Sequence, residues 1–250
     1  MAGPRTSGPP PAPPVQRLRI RYARRGRMRF SSTRDFARAL ERALRRAQVP
    51  MAFSAGFHPH PRVSYAGGAP TGMASEAEYL EVALTRECDP DQVRVDLDAA
   101  LPDGLDVLDV VVAGPSSLNE LLQASVWEVA FAGLDAAVLT AALERLRSQP
   151  EALVTRMFKS GEKTFDVLPA LLRADMVPGP GCAILQLVVR HTTPAVRPDD
   201  VLSALHAVAA LPATSPPRVT RLAQGPWDAD TARVADPLAT DAAAASGAAP

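Results

Sequence analysis

The chain has 250 residues, 47% of them hydrophobic and 22% charged, which is enough for one large domain or two small ones and excludes a wholly unfolded chain. No stretch approaches the roughly 20 apolar residues that cross a bilayer, and no apolar run follows a basic one near the start, so a cytoplasmic protein without membrane contact is expected. Two widely separated cysteines, Cys88 and Cys182, exclude a disulfide framework and a C-x-x-C metal site, and no metal or cofactor is expected.

Basic and acidic residues balance at 27 each, but not evenly along the chain. From Arg17 to Arg62 there are 13 arginines against only Asp35 and Glu41, a local excess of +11 that the remainder must offset. Such asymmetry predicts a surface for a polyanionic partner, RNA first among them. Both lysines, Lys159 and Lys163, lie elsewhere.

Residues 1–14, MAGPRTSGPPPAPP, are too rich in proline for helix or ladder and are expected to be disordered. Residues 15–23 alternate Leu18, Ile20 and Tyr22 with Arg17, Arg19 and Arg21, the period of a strand with one buried face. After a turn at Gly26, Thr33 is a candidate N-cap for a helix from Arg34 to Ala47, which Pro50 stops from continuing. Its spacing gathers Phe36, Leu40, Ala43 and Leu44 on one side and lines Arg34, Arg38, Arg42 and Arg45 on the other. A short strand at Met51–Ser54, a Pro/Gly-rich loop, a strand at Glu78–Leu84, a helix from Pro90 to about Ala100 and a strand at Leu105–Val112 complete this half.

The order then recurs. Strand 126–132, helix 134–147, strands 153–158 and 182–191, helix 199–209 and strand 218–223 follow, while residues 225–250, Ala-rich and without periodicity, are expected to be a disordered tail. The string predicts an α+β protein of two tandem ferredoxin-like (βαββαβ) halves, residues 15–114 and 124–224, the first of them Arg-rich. A single larger α+β sheet is the alternative. In the first half-sheet Arg17, Arg19 and Arg21 would face away from the helices, beside Tyr79 and Glu81, on a face that could stack RNA bases or be neutralised internally.

The run RIRYARRGRMRFSSTRDFARALERALRRAQVPMAFSAGFHPHPRVSYA, followed by TGMASEAEYLEVAL, resembles the radical-SAM-linked family, a domain of unknown function found beside or fused to radical SAM proteins. The likeness is closest over residues 17–112 and continues more faintly through KSGEKTFDVLPALL at 159–172. Where the family carries Ser-His-Leu-Asp this chain has Ser32-Thr33-Arg34-Asp35, and where the family loop reads Gly-Phe-Asn-Pro it has Gly56-Phe57-His58-Pro59-His60-Pro61. The resemblance implies partnership with a radical SAM protein acting on RNA or in translation-related metabolism. The chain is not itself the radical enzyme, whose cluster needs three closely spaced cysteines.

Loop 55–72 holds the remaining candidates. Pro59 and Pro61 fix the directions of His58 and His60, either of which could act as general acid or base in RNA cleavage, with Arg62 on the phosphate. A softer reading has His60, Arg62 and backbone N–H groups bind phosphate, and a third has the histidines bond only locally. A metal on His58 and His60 would need Asp35, Glu76, Glu78 or His191 as a further ligand, and His191 at a strand end reads as structural. The nucleic-acid-binding set expected from the sequence is Arg25, Arg27, Arg29, Arg34, Arg38, Arg42, Arg45, His60 and Arg62. The competing functions are a metal-independent ribonuclease and a protein-only adaptor for the partner enzyme.

Overall fold

Alternating apolar and arginine residues form β1 (Gln16–Arg24), whose Leu18, Ile20 and Tyr22 are buried in the core of the first of two units. The computed structural model describes residues 13–55, 57–179, 182–212 and 215–245, so the proline-rich stretch 1–12 lies outside the described residues. Of the described residues, the first unit takes in those through Gly72, Glu76–Glu120 and those from Pro237; the second takes in Met73–Ser75 and those from Leu121 to Asp236.

A 3-10 turn over Gly26–Phe30 leads from β1 to α1 (Thr33–Arg46), and Ser32, not the expected Thr33, is the N-cap, its hydroxyl accepting from the Asp35 N–H. The apolar side of α1 buries Phe36, Leu40 and Leu44, and the Phe36 ring stacks on Tyr22 with centroids 4.6 Å apart. Burial of each such side chain contributes on the order of 1.5–3 kcal/mol. Next come β2 (Val63–Ala66), β3 (Ala74–Leu84), α2 (Pro90–Ala100), β4 (Leu105–Val112) and the single turn α3 (Leu118–Leu121). Asp89 caps α2, with Pro90 at its first position. Strand β1 lies between β4 and β3, and β2 pairs antiparallel with β3.

The strand expected at Met51–Ser54 is absent. That stretch makes only single bridges, Met51 to Leu84 and Phe53 to Pro61, and the true second strand is β2, four residues inside the segment expected to be loop. Val63 of β2 packs on the core and Tyr65 sets its ring edge-on to Phe36. Proline and glycine on both sides hid a strand this short.

In the second unit, β5 (Ala124–Ala132), α4 (Ala136–Arg147), β6 (Leu153–Phe158), β7 (Gly161–Asp166), β8 (Leu171–Gly179), β9 (Cys182–Arg190), α5 (Pro198–Ala209) and β10 (Arg218–Gly225) follow in order. The strands run β10-β5-β9-β8, each antiparallel to its neighbour. The expected sheet strand 153–158 instead pairs only with β7 as a separate two-stranded hairpin, and β8 takes its place in the sheet. Arg173, Asp175 and Pro178 masked β8 by breaking its apolar pattern.

The expected disordered tail also departs from expectation. Residues 226–245 carry β11 (Trp227–Asp228), its partner β12 (Arg233–Val234) and α6 (Ala239–Ala245), while 246–250 lie outside the described residues. Leu238 and Asp241 are both buried within the first unit, where α6 packs on β4. One leucine and one carboxylate anchor this segment, and neither produces a hydrophobic period in the sequence.

The chain is a mixed α+β protein, and no helix among the described residues is long and apolar enough to cross a membrane.

Candidate functional site

The arginines of the first unit fall into two groups. On β1 all four are bound. Arg19 is 1% exposed, its guanidinium shared between Asp241, Glu81 at 3.3 Å and the carbonyls of Gly114 and Ser116. Arg17 also reaches Glu81 at 3.3 Å, and Arg21 donates to the Glu76 carbonyl at 3.0 Å with Asp109 at 3.4 Å. Tyr79, beside them, is buried. The arginines of the sheet face that could have received RNA bases are neutralised by carboxylates.

Arg25, expected among the binding residues, joins this bound group. Its fork grips both carboxylate oxygens of Glu76 and donates to Asp106 at 2.7 Å. The Glu76 hydrogen bonds hold the guanidinium protonated even more firmly than usual. Arg24, one residue earlier, is buried and donates to the carbonyls of Ala69 and Pro70, while the buried Glu78 carboxylate accepts from the Ala69 N–H. The loop after β2 is thereby pinned from below, and the Gly72 N–H ties its end to the Arg29 carbonyl at 2.7 Å.

The second group makes no ion pairs among the described residues. Arg27, Arg34, Arg38, Arg42, Arg45 and Arg62 are exposed, and among the described residues none has an ion-pair partner. Arg29 lies with its guanidinium 4.5 Å from the centre of the exposed Phe30 ring, a cation–π contact that leaves its donors to solvent. Arg34, Arg38, Arg42 and Arg45 stand three or four residues apart on α1, a single row roughly 16 Å long. Uncompensated like charges at such spacing destabilise a helix slightly; hydrophobic burial on the opposite side holds it.

The segment between α1 and β2 doubles back on itself. The Ser54 N–H donates to the His60 carbonyl at 2.9 Å, the His60 N–H donates to the Ser54 hydroxyl at 3.0 Å, and the Arg62 N–H donates to the Ala52 carbonyl at 2.8 Å. His60 is fixed by its backbone at the foot of this finger, while Phe57, 87% exposed, and His58 occupy the tip; Gly56 lies outside the described residues. Between the finger and the C-terminal end of α1 is a cavity of about 310 Å³, with Glu41, Arg45, Gln48, Phe53 and His60 on its walls. His60 and Arg45, both expected site residues, meet there; His58 is not among its lining.

Two wall residues gave no signal in the sequence. Gln48 follows the helix in a left-handed conformation, φ 53°, and the bonds from Val49 N–H to Leu44 carbonyl and from Gln48 N–H to Arg45 carbonyl complete a Schellman termination. Glu41 faces Tyr65, whose phenol is pushed up to about 12 by burial and by that carboxylate.

Among the described residues no three His, Cys, Asp or Glu side chains are grouped to hold a metal. His191 has both ring nitrogens engaged, by Ser125 Oγ at 2.7 Å and the Leu122 carbonyl at 2.6 Å, and burial lowers its pKa. Lys159 sits at the turn of the β6–β7 hairpin and Lys163 lies over the Phe158 ring.

Residues 17–198 match the family described as an uncharacterized protein conserved in bacteria (DUF2344), and the chain belongs to that family. No curated protein matches it. Among solved structures it is similar to an unknown protein from Galdieria sulphuraria, at 15% identity over 76% of this chain and 90% of that one with a TM-score of 0.24. It is also similar to the first two RRM domains of the yeast poly(U) binding protein Pub1, at 12% identity over 82% of this chain and 98% of that one with a TM-score of 0.23.

Proposed function

We propose that this chain is an RNA-binding accessory protein that works with a radical SAM enzyme in RNA modification or translation-related metabolism. The observation that carries the RNA reading is the partition of the arginines: those on β1 and Arg25 after it are held by carboxylates and backbone carbonyls, and Arg27, Arg34, Arg38, Arg42, Arg45 and Arg62 are exposed with no ion-pair partner among the described residues. A folded chain with acidic residues to spare elsewhere has left one row of cations unneutralised, as a surface for phosphates requires. Guanidinium forks suit phosphate oxygens bidentately. The radical SAM partnership rests on the resemblance over residues 17–112. We further read each unit as a ferredoxin-like βαββαβ fold, supported by the orders β4-β1-β3-β2 and β10-β5-β9-β8, in each of which the fourth strand lies beside the first and the third beside the second.

Titration of RNA binding against salt tests this. Each phosphate contact to single-stranded RNA contributes about −0.7 to the slope of log affinity against log salt, so Arg27, Arg34, Arg38, Arg42, Arg45 and Arg62 together give a slope of about −4. Absence of RNA binding at about 50 mM salt refutes the reading. Co-purification with the radical SAM protein encoded nearest to it tests the partnership separately.

A further inference from the structure

We infer that the cavity between the end of α1 and the finger receives one unstacked RNA base, with that nucleotide's phosphate on Arg45. This deepens the RNA-binding reading and rests on it.

The walls have the composition of a small-ligand site, apolar with a few converging polar groups: Leu44, Val49 and Met51 supply the floor, and Glu41, Gln48 and His60 the polar groups. At about 310 Å³ the space suits one ring system and its sugar, at the lower end of ligand pockets. Phe53, 48% exposed, offers a ring on which a base can stack.

Charge decides which part of a nucleotide enters. The C-terminal end of a helix carries partial negative charge, and Glu41 adds a full one, so a phosphate is repelled from the interior and N–H donors on a base edge are attracted. Arg45 serves both features, being the last cation of the α1 row and part of the cavity wall. A strand whose phosphates follow Arg34, Arg38 and Arg42 therefore arrives at the cavity with its next base beside the opening.

Gln48 is an independent indication. Helix ends of this geometry favour glycine, and a residue with a Cβ held at φ 53° is strained. Such strain collects at ligand sites, and here the strained residue lines the cavity.

Fluorescence anisotropy with the full chain, at fixed low salt, tests the inference using a labelled oligoribonucleotide and an abasic ribose-phosphate oligomer of equal length. The base-bearing strand is expected to bind about tenfold more tightly, the equivalent of one stacked base. Phe53→Ala is expected to erase that difference while leaving abasic binding unchanged. Gln48→Gly is expected to raise Tm by about 2–4 °C through relief of strain and yet to lose the preference for bases. Arg34→Ala with Arg38→Ala should weaken both strands equally. Equal wild-type affinity for the two oligomers, or a preference that survives both Phe53→Ala and Gln48→Gly, overturns the base pocket and leaves backbone binding standing; no binding of either oligomer overturns the RNA reading itself.

Discussion

Arg19 and Arg38 lie in one unit of one chain and carry the same charge, yet they end in opposite conditions. Arg19 stands on a strand whose outer face gathers Glu81 from β3 and Asp241 from α6, and is sealed among them. Arg38 stands on a helix whose apolar side is used by the core, and on the outer side it makes no ion pair among the described residues. A guanidinium in the first setting contributes to stability, because breaking a buried pair strands the remaining charge. In the second it contributes almost nothing to folding and is free for a partner. Charge counts along a sequence do not separate these settings; strand and helix geometry do.

The contrast can be broken hardest at Asp241. Replacing it with Ala leaves the buried Arg19 guanidinium with Glu81 as its one carboxylate among the described residues, and a loss of about 3–5 kcal/mol is expected by chemical denaturation. A loss below about 1 kcal/mol would mean that α6 does not seal this face. Gly114→Ala should act in the same direction, since a Cβ there collides with the Asp241 carboxylate. Next in size, changing Arg34, Arg38, Arg42 and Arg45 together to Ala should lower the salt slope of RNA binding from about −4 to about −1.4. Stability should remain within roughly 0.5 kcal/mol of the wild type, as for other surface sites.

Arg25 and Arg27 sharpen the comparison within one turn of chain. Arg25→Ala should cost about 1 kcal/mol, as befits a half-exposed pair, with the salt slope unchanged, whereas Arg27→Ala should cost no stability and reduce the slope by about 0.7. The smallest effect concerns the second unit. His191 is buried in its neutral form with its pKa below the ordinary 6.5, so the unfolded chain binds the extra proton. Stability from this group is present above pH 6.5 and lost as pH falls below it toward the folded pKa; His191→Gln should flatten that part of the stability profile.

What the sequence made legible was whatever repeats at short range. β1, α1, α2 and β4 were readable because alternation and helical spacing are local, and the row from Arg34 to Arg45 follows from the same periodicity. The partners of Arg25 were not, because Glu76 and Asp106 lie 51 and 81 residues away and only the fold brings them together. β6 was misplaced because a hairpin of alternating residues looks like a sheet strand until its partner is known. Gln48 gave no signal, since nothing in its neighbours shows that a glutamine has been placed where a glycine would be easier.

The ion pair of Arg19 with Asp241 spans 222 positions of sequence. At translation rates of about 5–20 residues per second, roughly 10–45 s separate the synthesis of the two residues. For that interval the nascent chain holds Arg19 without Asp241, and the first unit reaches its final form only when nearly all of the second has been made. A cation that is sealed in the finished protein is therefore open to water and to other chains while the ribosome is still at work.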